Sequence, residues 1–179
     1  YPLEKPFVVI ATQNNVGTAG TQFLPYAQMD RFMVRLSVGY PDHDAQMALL
    51  RDRLSENPLD AVKQVPTREE LLAMQADVRA VQTGDALLDY ITRLTMASRE
   101  HPNVGVGVSP RGALLLCRMA KARAYLLGRA FAVSEDVQAV FEPVCAHRLI
   151  VSAKARLAGV SVGGVVRELL GGGPNPGRA

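Results

Sequence analysis

Tryptophan is missing from this 179-residue chain, and phenylalanine and tyrosine supply only five residues each. At 6% aromatic content, the stacking platforms that grip single-stranded nucleic acid are poorly supplied. Cysteine is scarcer still. Cys117 and Cys145 both lie in apolar, helix-like sequence, which argues against a disulfide framework and fits a reducing cytoplasm. His43, His101 and His147 are scattered without metal-ligand spacing, and Cys145 and His147, two apart, do not share a helix face; no metal site is expected. No apolar run reaches the roughly 18 residues of a membrane-spanning helix, and no secretory signal pattern opens the chain. Charge of one sign is also lacking. Twenty Lys and Arg against 17 Asp and Glu leave a formal +3, which permits contact with phosphate without demanding it.

What is present is enough for a core, since 48% of residues are hydrophobic. The chain opens on Tyr1 rather than Met, within strand-like sequence, and is expected to be a piece of a longer protein. Residues 6–12, rich in Val and Ile, predict a strand buried on both faces. Residues 15–24 predict a loop, and Pro25 opens a short helix reaching Asp30 and Arg31. Phe32, Val34, Leu36 and Val38 alternate as the inner face of a second strand.

From Asp42 the pattern turns helical. Asp42 caps a helix to about Ser55, and Thr67 with Glu70 forms a capping box for another to about Ala76. A strand-like run at 78–81 precedes a long helix over 85–100, and a Gly/Val loop follows at 104–108. Ser109-Pro110 starts a helix that Gly128 ends, Phe131 to Val133 is extended, Ser134 caps a helix running to about Ala158, and a last helix covers 162–170. The expectation is a mainly α chain. Residues 1–41 form a remnant of an α/β core with few strands, 42–170 a bundle of about five helices, and 171–179 a disordered Gly/Pro tail.

Three residues could carry chemistry. Asn14 follows the C-terminal end of an apolar strand, the edge where open α/β sheets bind ligands; taken alone, it reads as the cap of a turn. Arg31 offers the planar fork that suits phosphate, or simply pairs with Asp30 or faces solvent. Arg111 is the second residue of the helix that Ser109 caps. A cation there opposes the helix dipole, an arrangement easier to understand if an anion arrives; a solvated arginine stands level with that reading. Nothing matches the Gly-x-x-x-x-Gly-Lys-Ser/Thr loop that cradles nucleotide phosphates, and no apolar strand ends in Asp-Glu to hold Mg2+.

The order of short motifs resembles the MoxR-type AAA+ ATPases. Phe7-Val8-Val9-Ile10-Ala11-Thr12-Gln13-Asn14 is similar to their sensor 1 strand. Leu24-Pro25-Tyr26-Ala27-Gln28-Met29-Asp30-Arg31-Phe32 is similar to their arginine-finger segment, and Ser109-Pro110-Arg111-Gly112-Ala113 to the start of their sensor 2 helix. The strand ending Gly39-Tyr40-Pro41-Asp42 and the late Ala146-His147-Arg148-Leu149 also fit, so the resemblance runs in order from residue 1 to about residue 170. It departs at Asn15, where proline is usual, over residues 15–20, where the family has an acidic stretch, and at Tyr26, where glutamate is common.

The resemblance implies catalytic roles for Asn14 and Arg31 and nucleotide contacts for Asn14 and Arg111. Asn14 would be sensor 1, reading the γ-phosphate and positioning the attacking water. Arg31 would be the finger that reaches a neighbouring subunit's nucleotide, and Arg111 would be sensor 2, coupling nucleotide state to the lid. It further implies ATP and Mg2+ as cofactors of the intact protein, none held tightly by this chain alone, and a cytoplasmic homo-oligomeric ring, typically a hexamer. Such a ring would remodel or mature partner complexes in a chaperone-like way, often beside von Willebrand factor A domain proteins.

The competing reading is a non-catalytic interaction module or a nucleic-acid binder using Arg118, Lys121, Arg123 and Arg129. These four do not line one helical face, so nucleic acid is not expected as a partner. Without the phosphate-cradling loop, the chain alone is expected not to hydrolyse ATP; Mg2+-dependent phosphate release that Arg111→Ala abolishes would contradict this.

Overall fold

The computed structural model describes residues 1–13, 24–53 and 58–172. In chain order these form α1 (Tyr26–Met29), α2 (His43–Arg53), a 3-10 turn (Pro58–Ala61), α3 (Arg68–Ala80), α4 (Asp85–Glu100), β1 (Val104–Val106), α5 (Pro110–Leu126), α6 (Ser134–Cys145), a second 3-10 turn (Ala146–Arg148), β2 (Ile150–Val151), α7 (Ala153–Leu157) and α8 (Val162–Gly172). The chain is mainly α, as its periodicity predicts. The expected tail beyond Gly172 and most of the expected loop over 15–24 lie outside the described residues.

The helices start where the capping chemistry says they should. The Asp42 carboxylate accepts from the Ala45 amide at 2.8 Å. Thr67 and Glu70 exchange bonds reciprocally, the Glu70 amide to the Thr67 hydroxyl at 3.2 Å and the Thr67 amide to the Glu70 carboxylate at 2.7 Å. Helix α5 ends in a paired turn: Gly128, at φ +71, donates to Tyr125 O and Arg129 donates to Ala124 O. A side chain at Gly128 would oppose that left-handed backbone.

The core lies between α4, α5, α6 and α8. One face of α4 buries Leu87, Tyr90, Ile91, Leu94, Thr95 and Ser98, the i, i+3, i+4 progression of a helix with one apolar stripe. Against it α5 presents Gly112, Leu116, Ala120 and Ala124 at every fourth position. Small residues on that row let α6 approach closely, and Phe141, Val137 and Val144 of α6 are fully buried there. Asp136 ties the α5–α6 turn, because Arg123, Arg129 and the Val133 amide all donate to its carboxylate. Burial pushes the Asp136 carboxyl up, but the bonds from Arg129, Val133 and Arg123 outweigh it and hold the group below the usual carboxylate range.

Five expectations fail. Residues 6–12 and 32–38 join no sheet among the described residues; Phe7, Val8, Val9 and Ile10 are more than half exposed, as are Leu36 and Val38. A strand exists only through a partner's backbone, and none of the described residues offers one. Residues 78–80 are the last turn of α3; only Gln82 beyond it is extended, bridging to Phe131 in parallel. The two strands formed instead are β1, in the expected 104–108 loop, and β2, inside the expected 134–158 helix. That long helix is cut at Cys145 because Pro143 removes an amide donor and crowds the preceding turn. The freed chain turns at Ala146–Arg148 and pairs β2 antiparallel to β1, Val104 opposite Val151.

The connection from α4 to α5 is tight. Val108 N donates to Ser98 Oγ at 2.9 Å and Arg99 Nε donates to Val108 O at 2.8 Å. A Cβ at Gly107 would sit 2.7 Å from the Arg99 backbone. Gly107→Ala is expected to cost about 1–3 kcal/mol, read as a lower urea midpoint at unchanged slope.

Candidate functional site

Arg31 and Arg111, 80 residues apart in sequence, line one cleft. It has a volume of about 380 Å3 and is walled by Arg31, Pro110, Arg111, Leu114, Leu115 and Arg118. Three guanidinium groups face it and no carboxylate does. All three arginines are exposed, and none has a hydrogen-bond or ion-pair partner among the described residues. Asn14 lies outside the described residues, so only two of the three expected site residues can be placed.

The cleft is assembled by a neighbouring polar cluster. Asp30 caps the end of α1, one residue before Arg31, and its carboxylate is bonded by Ser109 and Arg148. Ser109 Oγ lies 3.1 Å from both Asp30 carboxylate oxygens and donates to them while it accepts from Gly112 N at 3.1 Å. One hydroxyl thus caps α5 and ties it to the segment that carries Arg31. Arg148 completes the joint. Its Nε donates to Asp30 Oδ1 at 2.9 Å, and its terminal nitrogens donate to the carbonyls of Asp30, Phe32, Met33 and Val144. The side chain is wholly buried, and Tyr26 donates to the Arg148 carbonyl at 3.0 Å.

Gly112 shows how closely these parts fit. A Cβ there would fall 2.7 Å from Val108 Cγ1 and 2.9 Å from Arg148 Cδ. The residue after Arg111 must therefore be small for Arg148 to reach Asp30. The expected plain alternative for Arg31, pairing with Asp30, is not what forms: Asp30 is engaged by Arg148. Among the described residues Arg31 has no counter-ion and is exposed, which fits the other plain alternative, a solvated arginine.

His147 sits beside the cluster with its ring buried, as expected for packing within the bundle. Its Nε2 lies 2.6 Å from an Arg148 nitrogen and 3.2 Å from Phe32 O, and its Nδ1 has no partner. Burial first, and then the Arg148 charge, push the imidazole down to about 4. Among the described residues no group of three or more His, Cys, Asp or Glu is arranged to hold a metal ion. The other arginines and lysine of the competing reading point elsewhere: Arg123 and Arg129 serve Asp136, and Lys121 donates to Arg79 O at 2.7 Å.

Residues 1–34 match the family described as ATPase family associated with various cellular activities, and residues 96–169 match the AAA lid domain. Over 168 residues the chain is 34% identical to the uncharacterized protein YeaC of Bacillus subtilis, covering 94% of this chain and 52% of that protein. Over 179 residues it is 31% identical to the chaperone MoxR1 of Mycobacterium tuberculosis, covering 95% of this chain and 47% of that one. The protein MoxR of Paracoccus denitrificans is 31% identical over 164 residues, 80% of this chain and 48% of that one. Together these matches support a MoxR-type AAA+ relationship for the chain.

It spans about half the length of the curated relatives it matches, and corresponds to the C-terminal portion of a MoxR-type protein. A crystal structure from Cytophaga hutchinsonii, described as a candidate ATPase, superposes with a TM-score of 0.88 at 31% identity over 98% of this chain and 56% of that one. The two matched families meet at the polar cluster. Asp30 lies in the first, Ser109 and Arg148 in the second, so the joint that builds the cleft is a contact between the end of an AAA module and its lid.

The sequence pointed to Arg31 and Arg111 but not to Asp30, Ser109 or Arg148 as the parts that bring them together, nor to Arg118 as a cleft residue. One signal was available: Arg148 stands among Val144, Cys145 and Leu149, and an arginine in so apolar a setting needs partners. The depressed His147 has a pH consequence. Between about pH 6.5 and 4 the unfolded chain takes up a proton that the folded chain refuses, so stability is complete above pH 6.5 and falls as pH drops toward 4. His147→Gln is expected to flatten that part of the urea-midpoint profile against pH; an unchanged slope would refute the assignment.

Proposed function

We propose that this chain is the nucleotide-responding half of a MoxR-type ATPase that hydrolyses ATP with Mg2+. The observation that carries the reading is the single cleft shared by Arg31 and Arg111, with no acidic side chain in its wall. Arginines without counter-ions suit a phosphate chain, because each guanidinium can donate two parallel bonds to phosphate oxygens. The same wall offers nothing to Mg2+, whose oxygen ligands would come from elsewhere in the intact protein. In this reading Arg31 is the arginine finger, Arg111 is sensor 2, and Asn14 is sensor 1, which orients the attacking water. In this reading the Asp30–Ser109–Arg148 joint, which brings both arginines to one cleft, lets them address the same nucleotide. If Arg31 reaches a neighbouring subunit's nucleotide, Arg111 goes with it, and a ring, typically a hexamer, is the active unit.

The name of the mycobacterial relative supports a chaperone role, and the proposal extends it to remodelling or maturation of partner protein complexes. A cytoplasmic location and a von Willebrand factor A domain partner belong to the same proposal; no helix among the described residues is long and apolar enough to cross a membrane. The division near residue 41 also remains part of it; the expected tail is shortened, because α8 runs on through Gly171 and Gly172. Nucleic-acid binding gains no support, since two of its four basic residues are held by Asp136. The test is steady-state ATP turnover by the protein of the complete reading frame. Arg31→Ala and Arg111→Ala are each expected to lower kcat by roughly a hundredfold or more, with a smaller change in KM. Wild-type kcat in both variants would defeat the proposal.

A further inference from the structure

Arg118 is the one cleft arginine that the proposed roles leave unused. It lies seven residues beyond Arg111 on α5, which places it about 10.5 Å further along the axis and only about 20° around it. Leu114 and Leu115 fill the wall between the two arginines, and Arg31 enters beside Pro110 from the other matched module. Of the basic side chains on the second half of α5 and the turn after it, Lys121 is bonded to Arg79 O and Arg123 and Arg129 are bonded to Asp136; Arg118 has no partner among the described residues. An uncompensated guanidinium in line with two others, on a wall without carboxylates, raises the local attraction for an anion more than an isolated surface arginine does.

The spacing distinguishes one phosphate from several. Arg31 and Arg111 line the cleft where α5 begins, and in the proposed roles both address one phosphate group there. Arg118 is rooted two turns away, and a second charge is matched best by an anion whose own charges are spread along a line. We infer that Arg118 is a specificity-determining residue: it makes the cleft prefer a linear polyphosphate, as in a nucleoside triphosphate, over a single phosphate. This rests on the reading of Arg31 and Arg111 as phosphate contacts, and it adds the class of anion that the cleft selects.

The test titrates inorganic phosphate and inorganic tripolyphosphate separately into the 179-residue chain at constant ionic strength, following the arginine Nε–H resonances by NMR. The wild type is expected to bind tripolyphosphate at least tenfold more tightly than phosphate. Arg118→Ala should weaken tripolyphosphate binding by about tenfold or more, the size of one charge-assisted hydrogen-bonding contact, and leave phosphate within twofold. Arg118→Lys should recover part of the loss. Because Arg118 is exposed, its variants are expected to keep the wild-type Tm. Arg167→Ala, which removes a charge on α8 outside the cleft, controls for net charge. The inference is overturned if Arg118→Ala weakens both anions equally, weakens neither, or does no more than Arg167→Ala. If Arg31→Ala and Arg111→Ala leave both affinities unchanged while Arg118→Ala weakens tripolyphosphate, the nucleotide reading of those two residues fails instead. If the wild type binds neither anion saturably, both fall.

Discussion

A guanidinium with no exposure to solvent is the constraint around which the rest is arranged. Moving an arginine out of water costs several kcal/mol unless its charge is paired and its donors are used. Arg148 meets both conditions, with the Asp30 carboxylate for its charge and the Asp30, Phe32, Met33 and Val144 carbonyls for its donors. Each partner is thereby fixed in space. The segment after α1 is drawn onto the end of α6, the Asp30 carboxylate is left in reach of Ser109, and α5 starts against it. A buried pair of this kind gives little net stability, but it is demanding about geometry, and geometry is what a phosphate-reading cleft needs.

The charge of the cleft follows from the same arrangement. Asp30 lies next to Arg31 in sequence and would neutralise it if the two paired; Arg148 removes that option. Asp136 does the equivalent at the far end of α5, where it takes Arg123 and Arg129 and anchors the turn into α6. Two carboxylates are thus spent on structural arginines, and three of the other arginines line one wall. A modest net charge of +3 becomes a local concentration of positive charge because of where the acids are used.

Much of the fold was legible because it depends on neighbours in sequence. The Asp42 cap, the Thr67–Glu70 box, the Ser109-Pro110 start, the bounds of α4 and the Gly128 stop are all local hydrogen-bonding or backbone preferences, and all form. The failures are equally physical. Alternation at residues 32–38 describes a side-chain pattern, but a strand needs a partner, and that segment is held instead by Arg148 and by a bond from Arg35 N to Pro143 O. The long helix to Ala158 ends at Cys145, two residues past Pro143, whose missing amide donor is a local weakness. The pairing of β1 with β2 was not legible, because strands of three and two residues carry almost no periodic signal.

The chain's order of residues alone determined a mainly α architecture, the helix starts and stops, and the identity of Arg31 and Arg111 as side chains suited to phosphate. Tertiary structure decided that those two face one cleft, that Arg118 joins them, and that Asp30 serves Arg148 rather than Arg31. The division has a single cause. Caps, turns and helical faces are set by groups within about four residues of each other, whereas the charge available in a cleft depends on which distant partner reaches each ion first, and Asp30 is 118 residues from Arg148.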